Sequence, residues 1–352
     1  MSIPTQQKAL LVPSAKADFV LQTIEVPKPE ADEVLIRLDA VALNPVDYKM
    51  QKDGFYLTKF PAIVGCDAAG VVVEVGAKVT NRAVGDKLAF QTTPGYRSGG
   101  YQQFAPIKAA LTFKVPSHMS IDQAATFPAC LVTAAHALYT DYVPDFGRGG
   151  LNLTPFWKEG GDHSGKSIVI LGGSSANGQY ALQFARLSKF TNIITTGSAH
   201  NKEFLLSLGA THFVDRNLGS VELIAQIQQV TGGPVPIVYD SVSTDETQNI
   251  AYDLLTSDGT LLITLPPAID QTKIAPNKKV YIASGFLGVP FYTAIDTELL
   301  DVLPGLLDSG DLKPLTPEII PGGLSGIPGG LKRLINNEVS ARKLVVHPAE
   351  TA

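Results

Sequence analysis

The residues best placed to do chemistry in this chain are Ile170-Leu-Gly-Gly-Ser-Ser-Ala-Asn-Gly178. The apolar run Ser167-Ile-Val-Ile-Leu171 reads as a buried strand that feeds this turn, and beyond it Ala181, Phe184, Ala185 and Ser188 recur at helical spacing. Glycines between a strand and a helix let the backbone approach a pyrophosphate, whose charge then rests on the helix N-terminus. Gly172, Gly173, Ser174, Ser175, Asn177 and Gly178 are therefore the candidate phosphate cradle. The spacing Gly172-x-x-Ser175-x-x-Gly178 lacks the middle glycine of the usual fingerprint, so a plain strand–helix turn is the competing reading.

The next strand, Asn192-Ile-Ile-Thr195, runs into Thr196-Gly-Ser-Ala-His-Asn-Lys202. An NAD site normally carries an Asp or Glu here for the ribose hydroxyls. No acid stands at this point. Ser198 and Lys202, with Arg216 after the third strand, offer donors for a 2′-phosphate instead. The pattern points to NADPH as cofactor, the alternative being a solvated polar loop with Lys202 facing water.

Metal chemistry has little to draw on. The chain has two cysteines, Cys66 and Cys130, which excludes a disulfide framework and any site of three or four thiolates. Both read as small buried apolar residues. The six histidines are scattered without His-x-x-x-His pairing and read as structural or surface residues.

These groups need a scaffold, and 352 residues at 45% apolar and 17% charged supply about two domains. A net charge of −5 argues against a nucleic-acid binder. No uninterrupted apolar stretch reaches the ~18 residues of a membrane span, and the N-terminus shows no signal-peptide core. The expected compartment is the cytosol.

Up to Val115 the chain reads as short strands punctuated by Gly, Pro and Asp, among them Val34–Ala42, Gly70–Gly76 and Lys87–Phe90. Such spacing suggests a sandwich or partial barrel. From Ile168 the rhythm becomes strand, helix, strand. The strands Ser167–Leu171, Asn192–Thr195, Thr211–Asp215, Pro236–Asp240, Thr260–Thr264 and Val280–Ser284 predict a parallel, doubly wound α/β sheet. Helices are expected at Asn201–Leu208, stopped by Gly209, and at Val221–Val230, ended by Gly232-Gly233. Asp141–Lys166, rich in Gly, Pro, Asp and Asn and holding the sole tryptophan, Trp157, is either a mobile lid or an inserted surface loop, and we favour the latter.

The whole chain resembles the medium-chain dehydrogenase/reductase superfamily, in its zinc-free quinone oxidoreductase and enoyl reductase branch. The resemblance rests on Ala42-Leu-Asn-Pro-Val-Asp-Tyr-Lys49, Pro61-Ala-Ile-Val-Gly-Cys-Asp-Ala-Ala-Gly70, Val84-Gly-Asp-Lys87, Ala124-Ala-Thr-Phe-Pro128 with Thr133-Ala134, the phosphate turn, and Ser207-Leu-Gly-Ala210. The insertion and the Gly-Gly-Ser-Ser turn look like fungal members, including trans-acting enoyl reductases that serve polyketide synthases. The resemblance implies a GroES-like β domain (residues 1–130, resumed over 291–352) clasping a Rossmann NADPH domain (131–290, with the insertion at 141–166), and an active site in the cleft between them. It places the zinc alcohol dehydrogenases' three catalytic ligands at Asn44, Cys66 and Ala129, which rules out that site and implies no metal.

A metal-free site favours conjugate reduction. The carbonyl of an α,β-unsaturated compound or a quinone delocalises the charge of an incoming hydride, and the protein mainly positions the alkene and excludes water. Asn44 is the candidate polar group beside the nicotinamide, its alternative being a cap on the turn at Asn44-Pro45. Tyr56 matches a position where quinone reductases place a tyrosine near substrate, to orient the carbonyl or donate a proton. Asp47 and Lys49 read as a structural ion pair or as solvent-facing, and Asp67 as a backbone ligand rather than a base. The resemblance adds Thr133, Leu265 and Phe286 to the cofactor contacts. Phe55, Tyr56, Phe90, Tyr96, Phe286 and Phe291 could line an apolar substrate pocket or equally pack a core. The expected substrate is a free enone, enal or quinone. The alternatives are a carrier-protein-bound thioester, or, in another class, an idle NADPH-binding protein. Val280–Ser284 could pair copies into a homodimer, but the insertion could also block that edge and leave a monomer.

Overall fold

In the computed structural model, which describes residues 3–92, 95 and 97–352, the strand Glu33–Ala42 is the hub of the first of two units. That unit comprises Met1–Ala129 with Leu299–Ala352. The strand is apolar along most of its length because both of its faces are covered. It pairs antiparallel with Asp67–Val75, Phe104–Lys108 and the C-terminal Arg342–Val346. Lys87–Gln91 and Thr112–Lys114 extend the sheet on one side, and Thr316–Ile319 extends it on the other. A second sheet joins Val20–Glu25, Gln6–Val12 and Ala62–Ile63. After the hub strand the chain turns into helix α1, Pro45–Asp53, whose proline at the first helical position has no N–H to leave unpaired.

The strand expected from Gly70 begins three residues earlier, at Asp67. Gly70 interrupts the apolar pattern without ending the strand, because a Cβ there would stand 1.9 Å from the backbone oxygen of Arg37. The register against the hub slips beside it, between Leu38 and Ala40, as a β-bulge requires.

The second unit is Cys130–Glu298. Its strands are β1 Ser167–Leu171, β2 Asn192–Gly197, β3 His212–Asp215, β4 Val235–Asp240, β5 Leu255–Ile263 and β6 Lys279–Ile282. All pair parallel, in the order β3-β2-β1-β4-β5-β6. This is the doubly wound arrangement, with the reversal of strand order between β1 and β4. Val169, Ile194, Val238 and Leu261 form the spine of its core. Helix α2, Pro128–Tyr139, is almost wholly buried, as its near-continuous apolar sequence demands. Helix α3, Ala176–Leu187, follows the glycine turn, and α4, Thr293–Asp308, follows β6.

The 141–166 segment is a packed surface loop. Leu151 and Leu153 donate backbone bonds to Ala137 and Leu138, each at 3.0 Å, and Gly149 donates to Ile282 of the edge strand at 3.0 Å. Trp157 lies edge-on to Tyr139 at 5.2 Å and donates its indole N–H to Glu298 at 3.2 Å. No described helix is long and apolar enough to cross a membrane.

Gly70→Ala tests the bulge: the clash is with backbone, which cannot swing aside, so a loss of about 1–3 kcal/mol is expected. Denaturant titration checks it.

Candidate active site

In the first unit, strand register gathers residues that are far apart in sequence. Ala42 pairs with Asp67 on one side and with Val345 on the other, and Leu43 N–H donates to Leu344 O at 2.9 Å. Asn44, Asp67 and Lys343 therefore meet at the end of the hub strand. Asp67 has no exposed surface, and Lys343 and Asn44 are almost fully buried. Asp67 Oδ1 accepts from the Ala129 backbone N–H at 2.6 Å, while its Oδ2 accepts from Asn44 Nδ2 at 2.9 Å and lies 3.2 Å from Lys343 Nζ. Lys343 also donates to Asn44 Oδ1. A buried carboxylate thus meets three donors, the arrangement such a charge needs.

Asp47, one turn into α1, accepts from the Asn44 backbone N–H and from the Tyr101 hydroxyl, both at 2.7 Å. Burial pushes its carboxyl up to about 6, against the pull of these two hydrogen bonds. Tyr101 is packed under Gly65, where a Cβ would stand 2.4 Å from its ring. The Cys66 thiol is pushed well above its ordinary range by burial, with the Asp47 and Asp67 charges adding to the effect. Lys49 is pulled downward by partial burial. Tyr56 is 43% exposed, holds a left-handed backbone at φ 62°, and packs its ring 4.1 Å from Phe55. Phe90 is core, Phe291 is exposed, and Tyr96 lies outside the described residues.

This donor set does not fit a zinc ion. The Asn44 amide is occupied by Asp67 and Lys343, Ala129 offers a methyl, and the Cys66 thiol is disfavoured from forming the thiolate that binds metal. Among the described residues, no three His, Cys, Asp or Glu side chains cluster as a metal site. Sequence reasoning singled out Asn44 and Asp67 but missed Lys343. The available signal was its place in the short strand run Arg342–Val346, where strand geometry puts Lys343 on the same face as Val345.

In the second unit, the glycine turn sits at the reversal of strand order. Gly172 holds φ 75°, and a Cβ there would meet Val242 at 2.3 Å; one on Gly178 would meet the Gly172 oxygen at the same distance. Ser175 caps α3, accepting from Gly178 N–H at 2.9 Å, and its hydroxyl donates to Ser241. The missing middle glycine is thus a helix cap. Ser174 and Asn177 are half-buried in the same turn, and Asn177 Oδ1 is buried without a partner among the described residues. Backbone that only glycine allows, at a helix N-terminus, fits a dinucleotide pyrophosphate. At the end of β2, Arg216 N–H donates to Gly197 O at 2.9 Å, which brings Arg216 beside Ser198. Lys202 opens the following helix. Lys202 and Arg216 are exposed and in no ion pair among the described residues. Asp215, opposite Gly197 in the register, turns its Oδ1 to Asn217 N–H. Thr133 is buried in α2, and Leu265 and Phe286, both half-buried, follow β5 and β6 at the carboxyl edge of the sheet.

A glycine turn at the switch point of such a sheet, joined in one chain to a β-rich unit, is the arrangement of nicotinamide-dependent oxidoreductases. Residues 30–117 match the alcohol dehydrogenase GroES-like domain, and residues 176–280 match the zinc-binding dehydrogenase family. The chain is 30% identical over 324 residues to trans-enoyl reductase himH of Aspergillus japonicus, covering 89% of each. Its fold is that of the Pseudomonas syringae quinone oxidoreductase, with a TM-score of 0.78, 21% identity and coverage of 97% and 100% of the two chains. A mycobacterial protein solved in complex with NADPH has a TM-score of 0.77 at 20% identity, covering 97% and 100%. The chain belongs to the medium-chain dehydrogenase/reductase superfamily, alongside the trans-enoyl reductases and quinone oxidoreductases.

Lys343→Met leaves Asp67 buried without its cation and is expected to cost about 3–5 kcal/mol, most of it recovered by adding Asp67→Asn; melting temperatures of the single and double variants check this. Asp47 makes a second, pH-resolved expectation. Its folded-state value of about 6 exceeds the ordinary one, so its stabilising contribution is complete below ~4 and is lost as pH rises through about 6. The difference in unfolding free energy between wild type and Asp47→Asn should change over that window and be flat above pH 7.

Proposed function

We propose that this protein is an NADPH-dependent reductase of activated carbon–carbon double bonds, or of quinones, that works without a metal. The observation that carries this reading is the buried Asn44–Asp67–Lys343 cluster, which fills the place of a metal donor set with an internal ion pair. Without a Lewis acid to polarise an isolated carbonyl, the acceptor must delocalise charge itself, as a conjugated carbonyl, thioester or quinone does. When bound, the reduced dinucleotide supplies a hydride.

The chain's own groups bind and orient. Gly172, Gly173, Ser174, Ser175, Asn177 and Gly178 would hold the pyrophosphate, and Ser198, Lys202 and Arg216 the 2′-phosphate. Thr133, Leu265 and Phe286 would line the nicotinamide end. Asn44 is held by its two side-chain partners and acts through the shape and polarity of the wall it forms. Tyr56 orients the substrate carbonyl, with solvent as the proton source. The similarity to trans-enoyl reductases along 89% of the chain favours a second substrate form, an enoyl thioester presented by a carrier protein.

NADPH oxidation across 2-alkenals, enones, quinones and acyl thioesters tests the reading; consumption by none of them would sink it, and a preference for NADH would overturn the assignment of Ser198, Lys202 and Arg216. Charge-assisted bonds of about 1.5–3 kcal/mol predict that Lys202→Ala with Arg216→Ala raises KM for NADPH at least tenfold and leaves that for NADH unchanged. Tyr56→Phe should cost no more than about tenfold in kcat/KM, roughly 1.4 kcal/mol, as expected for orientation without proton donation.

A further inference from the structure

One buried polar chain in the second unit has no part in the reading above. His136 of α2 has no exposed surface, and its two ring nitrogens face two acceptors. Nδ1 lies 3.1 Å from the Ser284 carbonyl oxygen and Nε2 lies 2.6 Å from Asp296 Oδ1. A carbonyl only accepts, so Nδ1 carries a proton, and one further proton is shared between Nε2 and Asp296. Asp296 Oδ2 in turn accepts from Gly288 N–H at 2.8 Å. The segment 284–288 is therefore gripped at both ends, by its first carbonyl and its last amide, through one imidazole and one carboxylate.

The strand end that leads into this segment, Tyr281–Ala283, is held by the 141–166 loop. Tyr142 stacks on Tyr281 at 4.6 Å, Gly149 N–H donates to Ile282 O, and Arg148 approaches Ala283 O at 3.4 Å. Tyr292, whose ring lies 4.9 Å from that of His136, donates its hydroxyl to Arg148 O at 3.0 Å. Every residue from 281 to 284 thus has a dedicated contact. The gripped segment follows the last parallel strand, at the carboxyl edge where a doubly wound sheet receives its dinucleotide. It also presses on Thr133, since a Cβ on Gly285 would stand 2.8 Å from Thr133 Oγ1.

We propose that His136 and Asp296 are positioning residues that set the 284–288 segment, and with it Phe286, against the nicotinamide end of the bound dinucleotide. The 142–149 part of the surface loop braces the strand end, Tyr281–Ala283, from which that segment leaves. This inference rests on the second unit binding NADPH as read above.

Two ligands separate local positioning from general support: NADPH, and 2′-phospho-ADP-ribose, which lacks the nicotinamide. Titration calorimetry should find Asp296→Ala weakened about tenfold or more for NADPH and within about twofold of wild type for the fragment. Asp296→Asn can donate to Nε2 through its amide and accept from Gly288, so it should restore NADPH affinity. Should Asp296→Ala not fold, His136→Gln, which reaches only one of the two partners, is read by the same ligand pair. Equal weakening for both ligands, or unchanged NADPH affinity in a folded variant, overturns the positioning role while leaving the cofactor reading intact. Wild-type protein that binds neither ligand overturns both.

Discussion

The first unit depends on keeping the Asp67 carboxylate charged while it is completely removed from water. An unpaired carboxylate in that position would be untenable, so every neighbour is constrained by it. The chain must bring a backbone amide, a side-chain amide and an ammonium within reach at once. Each comes from a different element: the start of α2, the start of α1 and the last strand. Gly70, beside the register shift, and Gly65, packed on Tyr101, flank Asp67 on the same stretch of chain. The result is a closed cluster in which each polar group is held by the others.

The second unit solves a different problem. Its core is an apolar parallel sheet, and the buried polar pair it does hold, His136 with Asp296, packs beside the carboxyl edge. There the glycine turn, the exposed cations after β2 and β3, and the clamped segment after β6 follow one another along the sheet. Substituting Ser175 for the fingerprint's middle glycine exchanges backbone freedom for a helix cap, and the turn keeps its tight approach through Gly172 and Gly178.

Much of this was legible in the sequence. The six strands of the sheet and their order-defining turn followed from apolar runs punctuated by glycine, and Gly209 and Gly232 end their helices with positive φ as expected. Asn44 stood out through the family resemblance, and Asp67 reads as a ligand of backbone, a role its bond from Ala129 N–H fills. Their partner did not stand out, because Lys343 is 299 residues from Asn44 and meets it only through the register of three strands. The same holds for His136, which reads with the other five histidines as a structural or surface residue. Its partner Asp296 lies 160 residues on, and nothing local marks the pair. Pairwise burial of charge is a tertiary event; local propensity and periodicity describe only the elements that deliver it.

The position of Lys343 also bears on how the molecule is made. The strand that supplies it is synthesised after the whole of Cys130–Glu298, so the cation that Asp67 needs in order to be buried is made only once the second unit has emerged. A continuous parallel-sheet unit can fold as soon as it clears the ribosome, whereas its interrupted neighbour must wait for its final strand. Folding of the first unit therefore waits on a strand made after the second unit, and loss of Arg342–Val346 would leave its acid without the cation that pairs it.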